Sequence, residues 1–382
     1  MRTIVTALVL LGFASSLGAQ TAEPPAPERF TLASKIMGET RTIAVRLPLS
    51  YRNSERRYPV LYLTDGDHHL GHTASTVEFL AREGRMPEAI TVAVVNTNRQ
   101  RDLSPTKPAG STGEAGGADR FLDFFEKELI PAIELRYRTA SYRVFGGHSL
   151  GGLFALHGLF TRPRLFDGWI AVSPALRWDD RYLFRRANEY FDKAGKDAAA
   201  SVVITVGDEG EELAKAFEDF RSLVQRRAPK SFDATFVRLA DEDHGSLVMP
   251  SHYTALRKIF APWRFSIAAG ADPKQELARA TEHYAKVSAR FGYEILPPEN
   301  LVNAIGYRLL AADRVADAIP VFQANVKNWP KSANVYDSLG EAYEKAGRRD
   351  DARSSYEKAV KIGAETKDPN LPVFRQNVER MR

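Results

Sequence analysis

Through the first two-thirds of the chain, short apolar runs rich in β-branched residues alternate with stretches of helical spacing. The segment "YPVLYLTDGD" is the clearest, with an unbroken apolar run at 60–64 that stops at Asp65-Gly66. A strand covered on both faces reads this way, because neither face carries polar residues. "TIAVRL" (42–47), "AITVAVVN" (89–96), "YRVFGG" (142–147), "GWIAVSP" (168–174), "SVVITVGD" (201–208) and "ATFVRLADEDH" (234–244) are further strands, each ended by turn, Pro or charged residues. Helical spacing lies between them at 69–85, 119–137 and 150–160, and again at 251–263. A polar loop rich in Gly, Pro, Ser and Thr spans 97–117. Strands that alternate with helices build βαβ units, so the expected class is α/β, with a mostly parallel sheet. In such sheets ligands collect beyond the carboxyl ends of the strands.

The two ends of the chain differ from this core. "MRTIVTALVLLGFASSLGA" (1–19) has a basic start, a short apolar run and small residues, which is the order of a cleaved secretory signal peptide. The apolar run is shorter than the roughly 20 residues a membrane span needs. Residues 20–29, with "EPPAPE", read as a linker to an α/β domain at 30–268. The chain has no cysteine, which excludes disulfides, thiolate metal sites, a cysteine nucleophile and a lipid anchor. Export to the periplasm or exterior, without a membrane anchor, is the expectation. The net charge of +5 is spread along the chain rather than clustered, so no nucleic-acid partner is expected.

From 269 to 382 only helices are expected, and a repeat appears. Ile305-Gly306 matches Leu339-Gly340, Ala318 matches Ala352 and Phe322 matches Tyr356, each at the same offset. Tyr336, Leu339, Gly340, Tyr343, Ala352, Tyr356 and Ala359 resemble the tetratricopeptide pattern. Small residues at Gly340 and Ala352 let two antiparallel helices approach, and aromatics fill the seam. Helices at 275–290 and 371–382 are expected to cap the array. Its role is either to hold a protein partner or to pack on the α/β domain.

The chemistry centres on "YRVFGGHSLGGLFALHG". Gly147-His148-Ser149-Leu150-Gly151 satisfies G-x-S-x-G between a strand and a helix. A strained turn of this kind presents the serine hydroxyl as a nucleophile at a helix N-terminus, where the Leu150 N–H faces a developing oxyanion. A serine needs a base, and the chain order in this fold is serine, acid, histidine. His244 follows the last strand directly and is the expected base; His252, near a helix start, reads as a surface residue. The acid lies in "VVITVGDEGEE", with Glu209 the first candidate and Asp208 the second. The loop "TDGDHHLGH" supplies the second oxyanion donor from Gly66 or Asp67. Asp65, Asp67, His68, His69 and His72 in that loop resemble metal ligands in type, but no spaced partner elsewhere completes a site, so no metal and no cofactor are expected.

Together with "VNTNRQRDLSPT", "GGADRFLDFFEKELIPAIELRYRT" and "FDGWIAVSPALRWDD", these motifs resemble the esterase family of α/β-hydrolases that includes esterase D and siderophore esterases such as enterochelin and ferri-bacillibactin esterases. The resemblance covers about 30–265 and is most marked for exported bacterial members with a C-terminal helical repeat region. It implies an α/β-hydrolase fold and hydrolysis of a small-molecule carboxylic ester, with Ser149 as nucleophile, His244 as base and an acid from "GDEGE". The family often has paired tryptophans after "SP", whereas here Arg177 precedes Trp178. Arg177 and Trp178, with His148, Arg99 and Arg101, are the expected substrate-binding residues, and the arginines suit an anionic substrate such as a ferric catecholate siderophore. The opposing reading pairs Arg99 and Arg101 with Asp102 to hold their loop. Acyl transfer through the same residues, and an inactive binding protein built around the repeats, are the alternative functions.

Overall fold

A computed structural model of the chain describes residues 26–268 and 270–381. The expected signal peptide lies outside the described residues. The strands are β1 (Glu28–Ser34), β2 (Glu39–Arg46), β3 (Tyr58–Leu63), β4 (Ile90–Val94), β5 (Thr139–His148), β6 (Gly168–Val172), β7 (Ala200–Val206) and β8 (Phe232–Arg238). They form one sheet in the order β1-β2-β4-β3-β5-β6-β7-β8. The pairs β1–β2 and β2–β4 are antiparallel, and every other neighbouring pair is parallel. This is the α/β-hydrolase arrangement that the sequence leads one to expect. The strand missing from the sequence reading is β1, an edge strand whose residues are mostly exposed or half-buried and so carry no apolar run.

The helices that accompany this sheet are α1 (Gly66–Arg82), α2 (Arg99–Leu103), α3 (Ala118–Phe124), α4 (Ile130–Arg136), α5 (Leu150–Thr161), α6 (Trp178–Ala194), α7 (Glu211–Arg227), α8 (Val248–Ile259) and α9 (Pro273–Phe291). The central strands bury both faces, which is why they read as continuous apolar runs. In β3, Val60 and Tyr62 join the core shared with Phe121, Phe154 and Phe217, while Leu61 and Leu63 join the core shared with Leu70, Leu256 and Tyr284. The two cores are the two faces of the sheet, each covered by helices.

One compact unit ends at Arg308 and a second begins at Leu309. The division falls C-terminal to the expected boundary at 268/269 because α9 packs into the sheet's own core. Phe291 sits edge-on to Tyr142 of β5 at 4.6 Å between ring centroids, and Tyr284 meets Trp263 at 5.5 Å. A further helix, α10 (Glu299–Ala311), follows α9.

The second unit contains α11 (Val315–Asn328), α12 (Ala333–Lys345), α13 (Arg349–Thr366) and α14 (Leu371–Arg380). Helices α12 and α13 approach so closely that a Cβ on Gly340 would lie 2.6 Å from the Tyr356 ring. Only glycine allows that contact, and both Ala352 and Tyr356 are fully buried beside it. Phe374 of α14 closes a small core with Ala333, Ala359 and Ile362.

Candidate active site

The G-x-S-x-G segment forms the junction of β5 and α5. Ser149 is the N-cap of α5 with φ 59° and ψ −112°, a conformation that costs an L-residue about 1–3 kcal/mol. Its backbone is held from three sides. The Ser149 N–H donates to the Val172 carbonyl at 2.9 Å, and its carbonyl accepts from Leu153 N–H at 2.9 Å and Ala175 N–H at 3.2 Å. Gly147 is required by contact, since a Cβ there would stand 2.3 Å from the Gly151 carbonyl oxygen. Leu150 is the first residue of α5, where the amide has no partner within the helix.

Two loops at the same end of the sheet bring an acid to a base. Glu209 follows β7 and His244 follows β8. The His244 Nδ1 is in hydrogen-bond contact with Glu209 Oε2. The Glu209 side chain is almost fully buried, and its Oε1 accepts the Gly207 N–H at 3.0 Å. Burial pushes the Glu209 carboxyl upward, but hydrogen bonds from Ser173, Gly207 and His244 outweigh it and hold the carboxyl below its ordinary range. With Nδ1 turned to a carboxylate, the imidazole is directed to the tautomer whose Nε2 is the open acceptor. The Asp243 carboxylate accepts the Gly245 and Ser246 N–H groups at 2.9 and 2.8 Å, fixing the turn that carries His244. Asp208 is not brought to His244. It is exposed and faces Arg238 at 3.6 Å.

Ser173 joins this group, and no motif in the sequence singled it out. It lies just beyond β6, is fully buried, and has φ +39°. Its Oγ is 2.7 Å from both Glu209 oxygens and 3.2 Å from His244 Nδ1. The available signal was the end of a buried parallel strand followed by Pro174, the same kind of position that supplies Glu209 and His244.

The loop after β3 sits on the other side of the serine. Asp65 is buried and left-handed at φ 55°, and it begins α1. Its carbonyl accepts the N–H groups of both His68 and His69 at 2.9 Å. That leaves Gly66 and Asp67 as the opening amides of α1, which have no partner within the helix. Arg99 donates from Nε to Asp65 Oδ1 at 2.6 Å and from Nη2 to Asp65 Oδ2 at 3.2 Å. The same Nη2 reaches the carbonyl of His148 at 3.1 Å, one residue before Ser149. Burial alone would raise the Asp65 carboxyl, but Arg99 and Asn96 hold it below its ordinary value. Arg99 therefore ties two loops of the site together and is not a free cation.

Arg101 is likewise engaged inside the protein, donating to Asp102 at 2.7 Å and to Glu39 at 2.7 Å, while Arg41 also meets Asp102. Only Arg101 pairs with Asp102 within its own loop; Arg99 instead pairs with Asp65 of the loop after β3. Arg177 is exposed and pairs with Glu212. Trp178 is half-buried and donates its indole N–H to Thr106 at 3.2 Å. Immediately after it, Asp179, Asp180 and Arg181 form a left-handed turn at the start of α6.

A column of imidazole rings leads inward from the site. His148 lies 4.6 Å from His244 between ring centroids, His69 lies 5.5 Å from His148, and His72 lies 5.3 Å from His69. His72 stacks on His252 at 6.0 Å. His252, expected at the surface, is instead wholly buried, with Nδ1 hydrogen-bonded to Thr73 at 2.8 Å. Its place on α8 faces α1 rather than solvent. Burial, and secondarily the neighbouring rings, lower His148 to about 4 and His252 well below the ordinary histidine value. Burial also lowers His69 and His72. Among the described residues no group of three or more His, Asp or Glu side chains is placed to hold a metal ion. A groove of about 580 Å³ lined by Glu126, Arg143 and Arg162 lies at the opposite end of β5, away from this chemistry.

The family model described as "Putative esterase" matches residues 34–241, more than half of the chain. The chain belongs to this esterase family. The esterase is 32% identical over 200 residues to a siderophore triacetylfusarinine C esterase of Aspergillus fumigatus, covering 48% of this chain and 68% of that one. It is 29% identical over 233 residues to the ferri-bacillibactin esterase BesA of Bacillus subtilis, covering 54% and 80% of the two chains. Among solved structures, it is similar to an IroE-like serine hydrolase from Shewanella oneidensis, with a TM-score of 0.68, 27% identity, and coverage of 79% of this chain and 99% of that one. The esterase is thus an ester hydrolase by family. No helix among its described residues is long and apolar enough to cross a membrane.

Proposed function

We propose that this esterase cleaves carboxylic esters through a Ser149–His244–Glu209 triad and an acyl-enzyme. The observation that carries the reading is the contact between His244 Nδ1 and the buried Glu209 carboxylate, at the same sheet end as the strained Ser149 turn. His244 Nε2 takes the Ser149 proton as Oγ attacks the ester carbonyl carbon. The resulting oxyanion is met by the Leu150 amide and by the opening amides of α1 at Gly66 and Asp67. The tetrahedral centre collapses, the C–O bond breaks, and His244 returns its proton to the departing alcohol. Water, deprotonated by His244, then attacks the acyl carbon and Ser149 leaves with the proton. Glu209 stays ionised and stabilises the imidazolium in both halves.

The substrate class we favour is a siderophore-type ester. The named activities of the Aspergillus and Bacillus relatives support it. Arg99, Arg101 and Arg177 each have a carboxylate partner, and only Arg177 is largely exposed, which leaves Arg177 and Trp178 as the candidate contacts. Export follows from the N-terminal segment, and the α12–α13 pair fits a tetratricopeptide-type packing at Gly340 and Tyr356. Hydrolysis of p-nitrophenyl acetate and of a catecholate trilactone by wild-type and Ser149→Ala protein tests the reading. The variant is expected to lose several orders of magnitude in kcat on both. Undiminished turnover by the variant sinks the triad; turnover of the acetate without the trilactone sinks the substrate class.

A further inference from the structure

Ser173 occupies a position that chemistry would ordinarily give to glycine. Its φ of +39° is uncommon for any L-residue, and the following Pro174 restricts its backbone further. The Ser173 N–H donates to the Thr205 carbonyl of β7 at 2.9 Å, so the strain is held by the neighbouring strand. A glycine would satisfy that bond at lower cost, and the side chain is what it would lack. The hydroxyl is fully buried and touches two groups of the site, the Glu209 carboxylate and His244 Nδ1.

Resting on the triad proposed above, we infer that Ser173 is a positioning residue that locks Glu209 and shares the His244 Nδ1 proton. The hydroxyl has one hydrogen, which it gives to the carboxylate at 2.7 Å. Its lone pairs then face the imidazole N–H at 3.2 Å. That N–H therefore lies between two acceptors, Glu209 Oε2 and Ser173 Oγ. Gly207 N–H restrains the other carboxylate oxygen, so rotation of Glu209 would break contacts at both ends. His244 itself sits on a loop and is half exposed, which leaves its ring orientation dependent on these two acceptors and on the His148 ring.

Ser173→Gly tests this directly, because it removes the hydroxyl while relieving the backbone. Thermal melting is expected to match or exceed wild type. The kcat, normalised to folded protein by circular dichroism, is expected to fall about ten- to a hundredfold, the scale of losing a hydrogen bond to a charged group. KM should stay within about twofold, since no substrate contact is removed, and labelling of Ser149 by a fluorophosphonate should slow in parallel. Ser173→Ala should show the same kcat at a lower melting temperature, because it keeps the strain. Wild-type kcat in Ser173→Gly, or a loss confined to Ser173→Ala, overturns the inference. If Ser149→Ala is inactive in the same assay, that result leaves the triad standing; if Ser149→Ala is active, both readings fall together.

Discussion

At Gly147 and Arg99 single atoms decide whether the nucleophile turn exists. Gly147→Ala places a methyl group against the Gly151 carbonyl, a backbone atom that cannot step aside. The expected outcome is little folded protein, or folded protein that fluorophosphonate does not label; a soluble, fully active variant would show that the elbow has more slack than its geometry allows. Arg99 binds Asp65 through two nitrogens and the His148 carbonyl through one of them. A lysine supplies one point charge where a planar fork is used. Arg99→Lys is therefore expected to lose about tenfold in kcat/KM, and Arg99→Ala to lose about 1–3 kcal/mol of stability as well, discounted because the arginine is partly solvated. Denaturant melts and steady-state kinetics on the two variants check both numbers.

At the scale of elements, α1 and α8 meet through histidines kept neutral by burial. In the unfolded chain these rings take up protons near pH 6.5. In the folded protein burial holds His148 neutral down to about pH 4 and keeps the His252 ring well below its ordinary value. Below about pH 6.5 the unfolded state binds more protons, so stability is full above that value and drains away as pH falls toward 4. Melting temperature is expected to drop by several degrees between pH 7.5 and 5. His252→Asn keeps a hydrogen-bonding group toward Thr73 but does not titrate there. It should be less stable at pH 7.5, where it leaves a void, and should show a shallower pH slope. An unchanged slope would mean that water or a local opening already hydrates the column.

At the scale of the whole chain, α9 belongs to the sheet's core. Tyr284, Val287, Phe291 and Ile295 are each nearly inaccessible within it. Burying each such side chain contributes about 1.5–3 kcal/mol, so a chain cut before Pro273 exposes more apolar surface than a marginally stable domain tolerates. Truncation after 272 is expected to give aggregated or unfolded protein. Truncation after 308 keeps those four side chains and should give a better-behaved product. Size-exclusion chromatography and esterase assays of the two truncations decide it, and an active, monomeric 26–272 fragment would refute the role given to α9.

Much of this was legible without coordinates. Buried parallel strands announce themselves as short apolar runs because both faces are covered, and the G-x-S-x-G turn is local, so the strand–Ser149–helix junction follows from neighbours in the chain. The edge strand β1 escaped because an edge carries no such run. His252 was misread as a surface residue because one ring on a helix gives no sign of which helix it faces. Glu209 and Asp208 are nearly equivalent in the sequence because adjacent carboxylates on one loop have equal claims until the loop is folded; the fold turns one inward to His244 and the other outward to Arg238. Arg99 carried a charge that suited a ligand, and only the approach of the β3 and β4 loops, 34 residues apart at Asp65 and Arg99, gave it a protein partner instead. Sequence by itself determined the turn that presents the serine, because that geometry is set by glycines and helix signals within a few residues. The tertiary structure alone decided which side chains surround it, because hydrogen bonds to Glu209, His244 and Asp65 come from loops distant in the chain and depend on distances that no local pattern encodes.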